Sequence, residues 1–551
     1  MCQWSDQPGM SRTSVPLRAA VAGTTGDPGS QRALQGTARV RFLTYPEKVV
    51  PAMAFRDVSV LLLYPPNQTA PGTVCKPNGS LAYPNLGGAL REHGVPVRVF
   101  DACVGADADP LTELFANPTP LPNGLLRTGV SDERILEVVA DHDIVGITSI
   151  FTDQETMVLH CARLIRAAFP EKVLVSGGVN ARSRLPQFLG AGFDVVCLSE
   201  AEQTLVDIVD TVRRSRQPSF AHLHGVAFLD DGRLCVNPAR TGDLVWDLDT
   251  LPMPAWDLLP NDRYWTIARP HSGLFEPGAE LRYATMMTSL GCPFHCAYCH
   301  IAGEHEGSLS GPIGRFRVKS DDRVLAEIEA LKRLGVDNVF IEDDSLLGDK
   351  RRGLRLLQKV RGAGVTICDL NGINLIHLLK RWKPDHEVLG ALAEAGFTQI
   401  NMPFESGSLR IIRKYASNKL NVEKADLSGL IVAMKEYGFQ IYGNYMMGYP
   451  DETLEEIETT IRLAREHVSY GLDAANFFLV VPLPGAPLFD LAVAGGHISP
   501  DFDPDTMNIY HANMTGTVVP AAVLTQLRAR AWEEVNSATW KDAKRAWAAT
   551  V

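Results

Sequence analysis

Five unbroken apolar runs of strand length, separated by stretches of helical period, constrain the fold more than any other feature of this 551-residue chain. "VSVLLLYPP", "VPVRVFDA", "DIVGITSIF", "KVLVSGG" and "FDVVCLSE" follow one another from residue 57 to about 215. A strand covered on both faces reads as continuous hydrophobicity, and connections this short imply parallel pairing. In "DQETMVLHCARLIRAAF" Val158, Ala162, Ile165 and Phe169 recur at helical spacing on one face. The expectation is a doubly wound α/β domain over residues 56–215. Ligands of such domains sit beyond the carboxyl ends of the strands. Those ends carry Pro66, Asn67, Ser149, Phe151, Ser176, Gly177, Gly178, Glu200 and Glu202. "SGGVNARS" lacks the spacing of a dinucleotide fingerprint, so this rim alone says only that something binds there.

A second alternation begins near Leu281: "RYATMMTSLG", "VDNVFIEDD", "VTICDLNGIN", "FTQINMPFESG", "FQIYGNYMMGYP" and "DAANFFLVVPLPG". Ser320 is the expected N-cap of the first intervening helix, whose stripe is Val324, Ile328 and Leu331. Six such units over residues 281–490 fall short of the eight of a closed barrel and predict a partial one. Residues 216–280 read as a linker, with a hairpin around Asp230, Asp231 and Gly232, then a Pro-rich strap. Trp246, Trp256 and Trp265 are its expected packing anchors. Residues 491–551 read as a helical cap, and residues 1–55 as a mobile leader without periodicity. Met53 before the first strand marks an alternative translation start.

Composition excludes several classes. A net charge of −11 and a pI near 5.7 argue against a surface that tracks nucleic acid. No run has the roughly 18 apolar residues that span a bilayer, and the N-terminus lacks a secretory signal, so a cytoplasmic location is expected. Ten cysteines, only three of them clustered, fit a reducing compartment.

Those three stand in "SLGCPFHCAYCHIAGEHEG", at Cys292, Cys296 and Cys299. With His295 or His300 they would make a tetrahedral zinc site, although the second ligand pair usual in such sites is missing. An iron-sulfur cluster is the stronger reading, because thiolates are its preferred ligands and three of them leave one iron open. The remaining cysteines read as core or loop residues, and none of Cys2, Cys75, Cys103 and Cys235 is within ligand spacing of another in the sequence. No histidine is singled out as catalytic.

The C-x3-C-x2-C pattern, with Tyr298 before its last cysteine and a partial barrel around it, resembles the radical S-adenosylmethionine (SAM) superfamily. From residue 57 to about 490 the chain is similar to the cobalamin-dependent, class B methyltransferases of that superfamily. The resemblance implies an N-terminal Rossmann-like cobalamin-binding domain and a radical SAM barrel. Its implied cofactors are a 4Fe-4S cluster on Cys292, Cys296 and Cys299, SAM near Asp343, Asp344, Glu405, Ser406 and Gly448, and cobalamin at the first-domain rim: Pro66, Ser149, Ser176, Gly177, Gly178, Glu200 and Glu202. Two departures stand out. No D-x-H-x-x-G offers a histidine to cobalt, as is usual among these methyltransferases. Where the family carries G-E-G-E, this chain has "SEAE", and the added Cβ atoms of Ser199 and Ala201 put close corrin approach in doubt.

The implied activity is methylation of an unactivated carbon of a small molecule, in natural-product or antibiotic biosynthesis, through a 5'-deoxyadenosyl radical and methylcobalamin. It requires an external flavodoxin- or ferredoxin-type electron donor, and neither nucleic acid nor membrane is an expected partner. Cyclisation or rearrangement, and methylation of phosphorus, use the same apparatus. A corrinoid or iron-sulfur sensor is the reading from another class. Weak local similarity to phosphonate-pathway methylases lies in "GVSDERILEVVADHDIVGITSIFTDQ". Arg315, Arg317 and Lys319 are positioned in sequence to meet an anionic substrate group.

Overall fold

The computed structural model describes residues 57–73, 75–77, 80–268 and 281–548. The leader, Met53 and Cys2 lie outside these residues. The first five apolar runs form strands β1 (Val60–Tyr64), β2 (Val97–Asp101), β3 (Ile144–Thr148), β4 (Val173–Gly177) and β5 (Val195–Cys197). They are parallel, in the spatial order 2-1-3-4-5, with the change of direction between β1 and β3. The continuous hydrophobicity is explained by burial on both sides. Leu61 and Leu63 pack with Val158 and Ile165 of α2 (Glu155–Ala168), whereas Val60 and Leu62 pack with Leu205 and Val209 of α4 (Glu202–Arg214) and Leu90 of α1 (Ala82–Glu92). A short helix α3 (Val179–Ser183) follows β4.

The expected hairpin is present as β6 (Val226–Asp230) and β7 (Arg233–Asn237), with Asp231 and Gly232 both at positive φ in its turn. It does not belong to a free linker: β6 pairs antiparallel with β5 and extends the first sheet to seven strands. That pairing covers the edge a three-residue β5 would otherwise expose.

The second sheet contains β8 (Tyr283–Met286), β9 (Asn338–Ile341), β10 (Thr366–Asp369), β11 (Phe397–Glu405), β12 (Gln440–Met447) and β13 (Ala474–Leu479), parallel and in sequence order. Ile400, Met402, Phe404, Ile441, Tyr445 and Met447 face outward into a core shared with Val324, Ile328 and Leu331 of α5 (Asp321–Arg333) and Ile457 and Ile461 of α6 (Leu454–Ser469). Ser320 caps α5 as expected, its Oγ accepting from Arg323 N at 3.1 Å. By strand alternation Gln399, Asn401, Asn444 and Asn476 then face the barrel interior.

Both edges of this open barrel are closed by side chains. The indole N–H of Trp256 donates to Thr285 O at 3.1 Å and that of Trp265 to Tyr283 O at 2.8 Å, both on β8. At the other edge Asn536 accepts from Ala475 N at 2.8 Å and donates to Ala475 O at 2.9 Å, where α7 (Ala521–Val535) packs over β13 and α8 (Ala538–Ala548) follows. Trp246, expected to be a third anchor, is instead half exposed, with the Arg315 guanidinium 5.5 Å from its ring centre. No described helix is long and apolar enough to cross a membrane.

The segment before α7 reaches back to the first domain. Asp505 accepts hydrogen bonds from Gln68 Nε2, Asn123 Nδ2 and Thr156 Oγ1, each 2.7 Å long. The guanidinium of Arg184 lies 4.4 Å from the ring centre of Phe502.

Candidate functional site

A cavity of about 270 Å³ opens between the carboxyl ends of the first sheet and the end of β8. Its first-domain wall includes Gly146, Thr148, Ser176, Gly177, Gly178, Glu200 and Glu202, and its opposite wall includes Trp256, Thr285, Met286, Leu290 and Lys319. Backbone packing within the first wall requires glycine. Gly178 has φ 103, and a Cβ there would lie 2.4 Å from Ser149 O. Ile150 and Phe151, 39% and 61% exposed, form an apolar lip at the end of β3. Ser176 lines the cavity but its hydroxyl donates to Ile147 O at 2.8 Å, and Glu202, pushed up to about 7 by burial and the nearby Glu200, also lines it. Two expected rim residues do not reach the space: Pro66 packs against Gly129, and buried Ser149 accepts from Asn180 Nδ2 at 3.0 Å.

The cysteine loop follows β8. Gly291 precedes it at φ 72, and any Cβ there would lie 2.4 Å from Arg315 O. The loop is stitched in place on both sides: Ala297 N donates to Tyr415 O and Ala297 O accepts from Leu488 N, both at 2.7 Å. Cys296 is buried, while Cys292 and Cys299 are partly exposed. Burial pushes all three thiols up, Cys299 to about 12, and each also feels the other cysteines' or nearby carboxylates' charge. Among the described residues no three Cys, His, Asp or Glu side chains are gathered closely enough for a single metal ion. A mononuclear tetrahedral site would hold its sulfurs about 3.8 Å apart, given Zn–S near 2.3 Å. A cluster spreads its thiolates over separate irons, so three neighbouring but non-convergent thiols fit the cluster's donor set.

Around this loop the barrel strands present their acids. Asp343 is buried and committed: Thr288 N, Thr288 Oγ1 and Ser289 Oγ donate to it at 2.5–2.6 Å. Asp344 accepts from Gly291 N at 3.0 Å and is pushed up to about 6 by burial. Glu405 ends β11 at φ 64, a strained value for a residue with a side chain, and its carboxylate is 2.8 Å from Lys419 Nζ. Ser406 is fully buried, its hydroxyl 3.2 Å from that of Thr460 on α6, so it ties strand to helix rather than lining the mouth. Gly448 turns the chain after β12 at φ 95, and its N–H donates to Glu452 at 2.6 Å.

A sequence profile described as the Radical SAM superfamily matches residues 286–464, the span from β8 into α6 that holds this loop and these acids. Residues 286–464 thus form a radical SAM domain. Among curated relatives, the cytidylyl-2-hydroxyethylphosphonate methyltransferase of Streptomyces wedmorensis is 26% identical over 513 residues, covering 87% of this chain and 90% of that one. An uncharacterized methyltransferase of Pyrococcus horikoshii is 27% identical, over 64% of this chain and 70% of the relative. Among solved structures, the radical S-adenosylmethionine methyltransferase TsrM from Kitasatospora setae, with cobalamin and a 4Fe-4S cluster bound, matches at TM-score 0.59 and 16% identity. It covers 80% of this chain and 79% of its own. That likeness agrees with the expected fold, a Rossmann-like domain followed by a partial barrel and helices. This radical SAM protein is therefore an enzyme.

Several side chains of this radical SAM enzyme were not legible in its sequence. Lys419, from the polar-looking "YASNKLN", is buried against Glu405, within reach of the charges of Cys296 and Cys292. Glu304 is held by Arg182 of α3 and by His300 at 2.8 Å; burial would push it up, but these partners bring it down to about 2. Asn444 and Asn476 are paired across β12 and β13, with Asn476 Nδ2 donating at 3.1 Å to Asn444 Oδ1. Whichever way the two amides are turned, that one bond leaves three of their N–H groups and one carbonyl for other partners.

The basic residues expected to meet a substrate anion are occupied otherwise. Arg317 is 2% exposed and pairs in bidentate fashion with Glu200, and Lys319, although it lines the cavity, is 2.6 Å from buried Glu327. Glu200 is thus neutralised by a barrel residue. Cys75 and Cys103, distant in sequence, meet with their sulfurs 3.6 Å apart, a proximity that spacing could not reveal.

Proposed function

We propose that the chain is a cobalamin-dependent radical SAM methyltransferase that methylates an unactivated carbon of a small molecule, in natural-product assembly. The observation that carries this reading is the shared cavity: the glycine-containing rim of one sheet and the end of β8, the barrel strand that leads into the cysteine loop, line one space. When bound, the cluster supplies the electron that cleaves SAM and cobalamin supplies the methyl carrier. Cys292, Cys296 and Cys299 are the residues that hold the cluster in this reading, and Lys419 offsets negative charge beside two of them. Asp344 and Glu405 flank the SAM position, and the backbone turn at Gly448 shapes it. Gly177, Gly178 and Ser176 form the floor against which the corrin lies, with Glu200 and Glu202 at its border. The amide pair Asn444 and Asn476 presents hydrogen-bonding groups to the methyl acceptor inside the barrel. An external one-electron donor of flavodoxin or ferredoxin type and a cytoplasmic location complete the reading.

Anaerobic reconstitution with iron, sulfide, cobalamin and a reductant, followed by assay of S-adenosylhomocysteine and 5'-deoxyadenosine from SAM, tests it. Both products are expected from wild type, with 5'-deoxyadenosine lost in Cys296→Ala. Formation of 5'-deoxyadenosine alone, with cobalamin bound, would replace methyl transfer by cyclisation or rearrangement.

A second reading, methylation at phosphorus, is favoured by the phosphonate in the name of the Streptomyces wedmorensis relative. Labelled SAM separates the two: the transferred methyl carbon couples directly to phosphorus in the product only if a carbon–phosphorus bond has formed.

A further inference from the structure

The rim of the first sheet and the loop that follows the cysteines are tied together through Arg317, which takes no part in holding a cofactor in the reading above, and Glu200 at the corrin border. Arg317, whose side chain is 2% exposed, donates at 2.9 Å to one Glu200 oxygen and through its second arm to the other. Its two arms also donate to Val245 O at 2.8 Å and Ile313 O at 3.1 Å. One guanidinium therefore joins the rim after β5, the connecting segment and the stretch after the cysteine loop, whose Gly314 O accepts from Cys292 N at 3.1 Å. Ser199, next to Glu200, donates through Oγ to Ser310 O at 2.9 Å, and Ala239 N donates to Leu309 O at 3.0 Å.

The physical chemistry makes this a stiff joint. A buried guanidinium with its arms engaged cannot swing away without leaving charge uncompensated on both sides. The planar fork also fixes direction as well as distance, which a lysine ammonium does not. Ser199 occupies a position where the family's pattern has glycine, and its hydroxyl supplies a tie that glycine cannot.

We propose that Arg317 is a positioning residue for methyl transfer: acting through Glu200, and seconded by the bond from Ser199 to Ser310, it fixes the gap between the corrin rim and the cysteine loop. The inference rests on the methyltransferase reading. Misplacement of reacting groups by about 1 Å can cost on the order of 100-fold in rate, so a loosened joint disturbs transfer between the pockets more than the chemistry within either.

The test uses the full chain, reconstituted with its cluster, as wild type, Arg317→Lys and Ser199→Gly. Hydroxocobalamin affinity is read from absorbance. Hydrogen–deuterium exchange is followed in the peptides around residues 195–205 and 305–318. Products are measured from SAM with hydroxocobalamin and titanium(III) citrate, without a third substrate. In Arg317→Lys, exchange is expected to quicken in both peptides together and hydroxocobalamin affinity to change by less than about threefold. S-adenosylhomocysteine release should fall about tenfold or more relative to 5'-deoxyadenosine. Ser199→Gly should move the same ratio less, and it serves if Arg317→Lys fails to fold. An unchanged ratio in folded variants overturns the proposal alone, as does parallel loss of both products. Wild type that binds no hydroxocobalamin overturns the proposal together with the reading beneath it.

Discussion

The Lys419 ammonium sits 2.8 Å from the Glu405 carboxylate, and both side chains are less than a tenth exposed. Glu405 holds a left-handed backbone conformation at the end of β11, and Lys419 also feels the charges of Cys296 and Cys292. A strained acid, a buried base and two thiols thus share one corner of the barrel mouth.

Removing one partner leaves the other as an unpaired buried charge. Lys419→Met is expected to destabilise the apoprotein by about 3–5 kcal/mol, and Lys419→Met with Glu405→Gln to recover most of that loss. Urea unfolding of the three proteins checks it. The single variant should also retain less iron after reconstitution, measured per chain. Iron retention equal to wild type would remove Lys419 from the cluster's surroundings.

Glu304 predicts an acid limb of stability. Its folded value, about 2, lies below the ordinary 4.5, because His300 and Arg182 outweigh burial. The stabilisation is therefore complete above about pH 4.5 and is lost as pH falls towards 2, amounting to about 3 kcal/mol. The stability difference between wild type and Glu304→Gln should shrink over that window. A difference independent of pH would show that the pair does not select the ionised acid.

Asn536 answers both backbone groups of Ala475 on the last barrel strand. Asn536→Ala leaves a buried N–H and C=O without these partners, and each unsatisfied group costs about 1–3 kcal/mol. A lowered unfolding midpoint is expected, together with faster aggregation from the bared edge of β13. Asn536→Asp, which keeps an acceptor, should lie between the two.

The amide pair inside the barrel predicts a separation of binding from radical formation. Asn444→Leu removes a neutral hydrogen bond worth about 1 kcal/mol. Once the methyl acceptor is identified, its KM should rise about fivefold, while 5'-deoxyadenosine formation in its absence should persist. Equal loss of both would assign the pair to SAM instead.

Much of this architecture was legible because it rests on local pattern. Strands such as Val60–Tyr64 announce themselves by unbroken apolarity, Ser320 by its hydroxyl before an amphipathic run, and the cysteine loop by spacing. What escaped depends on contacts between distant residues. Asp231 and Gly232 disclose a turn but not that β6 would pair with β5. Lys419 and Arg317 look like solvated cations until the fold supplies Glu405 and Glu200. Trp246 carries the same apolar surface as Trp256, yet only Trp256 lies against the free edge of β8, where its N–H has a carbonyl to meet. Cys75 and Cys103 approach each other only because their segments share one end of a sheet.

The contact of Asp505 with Gln68 spans 437 positions of the chain. At roughly 5–20 residues per second, about 20–90 s of synthesis separates the two partners. Gln68, Asn123 and Thr156 are thus made well before Asp505, and in that interval the first domain must stand without the acceptor that later gathers all three.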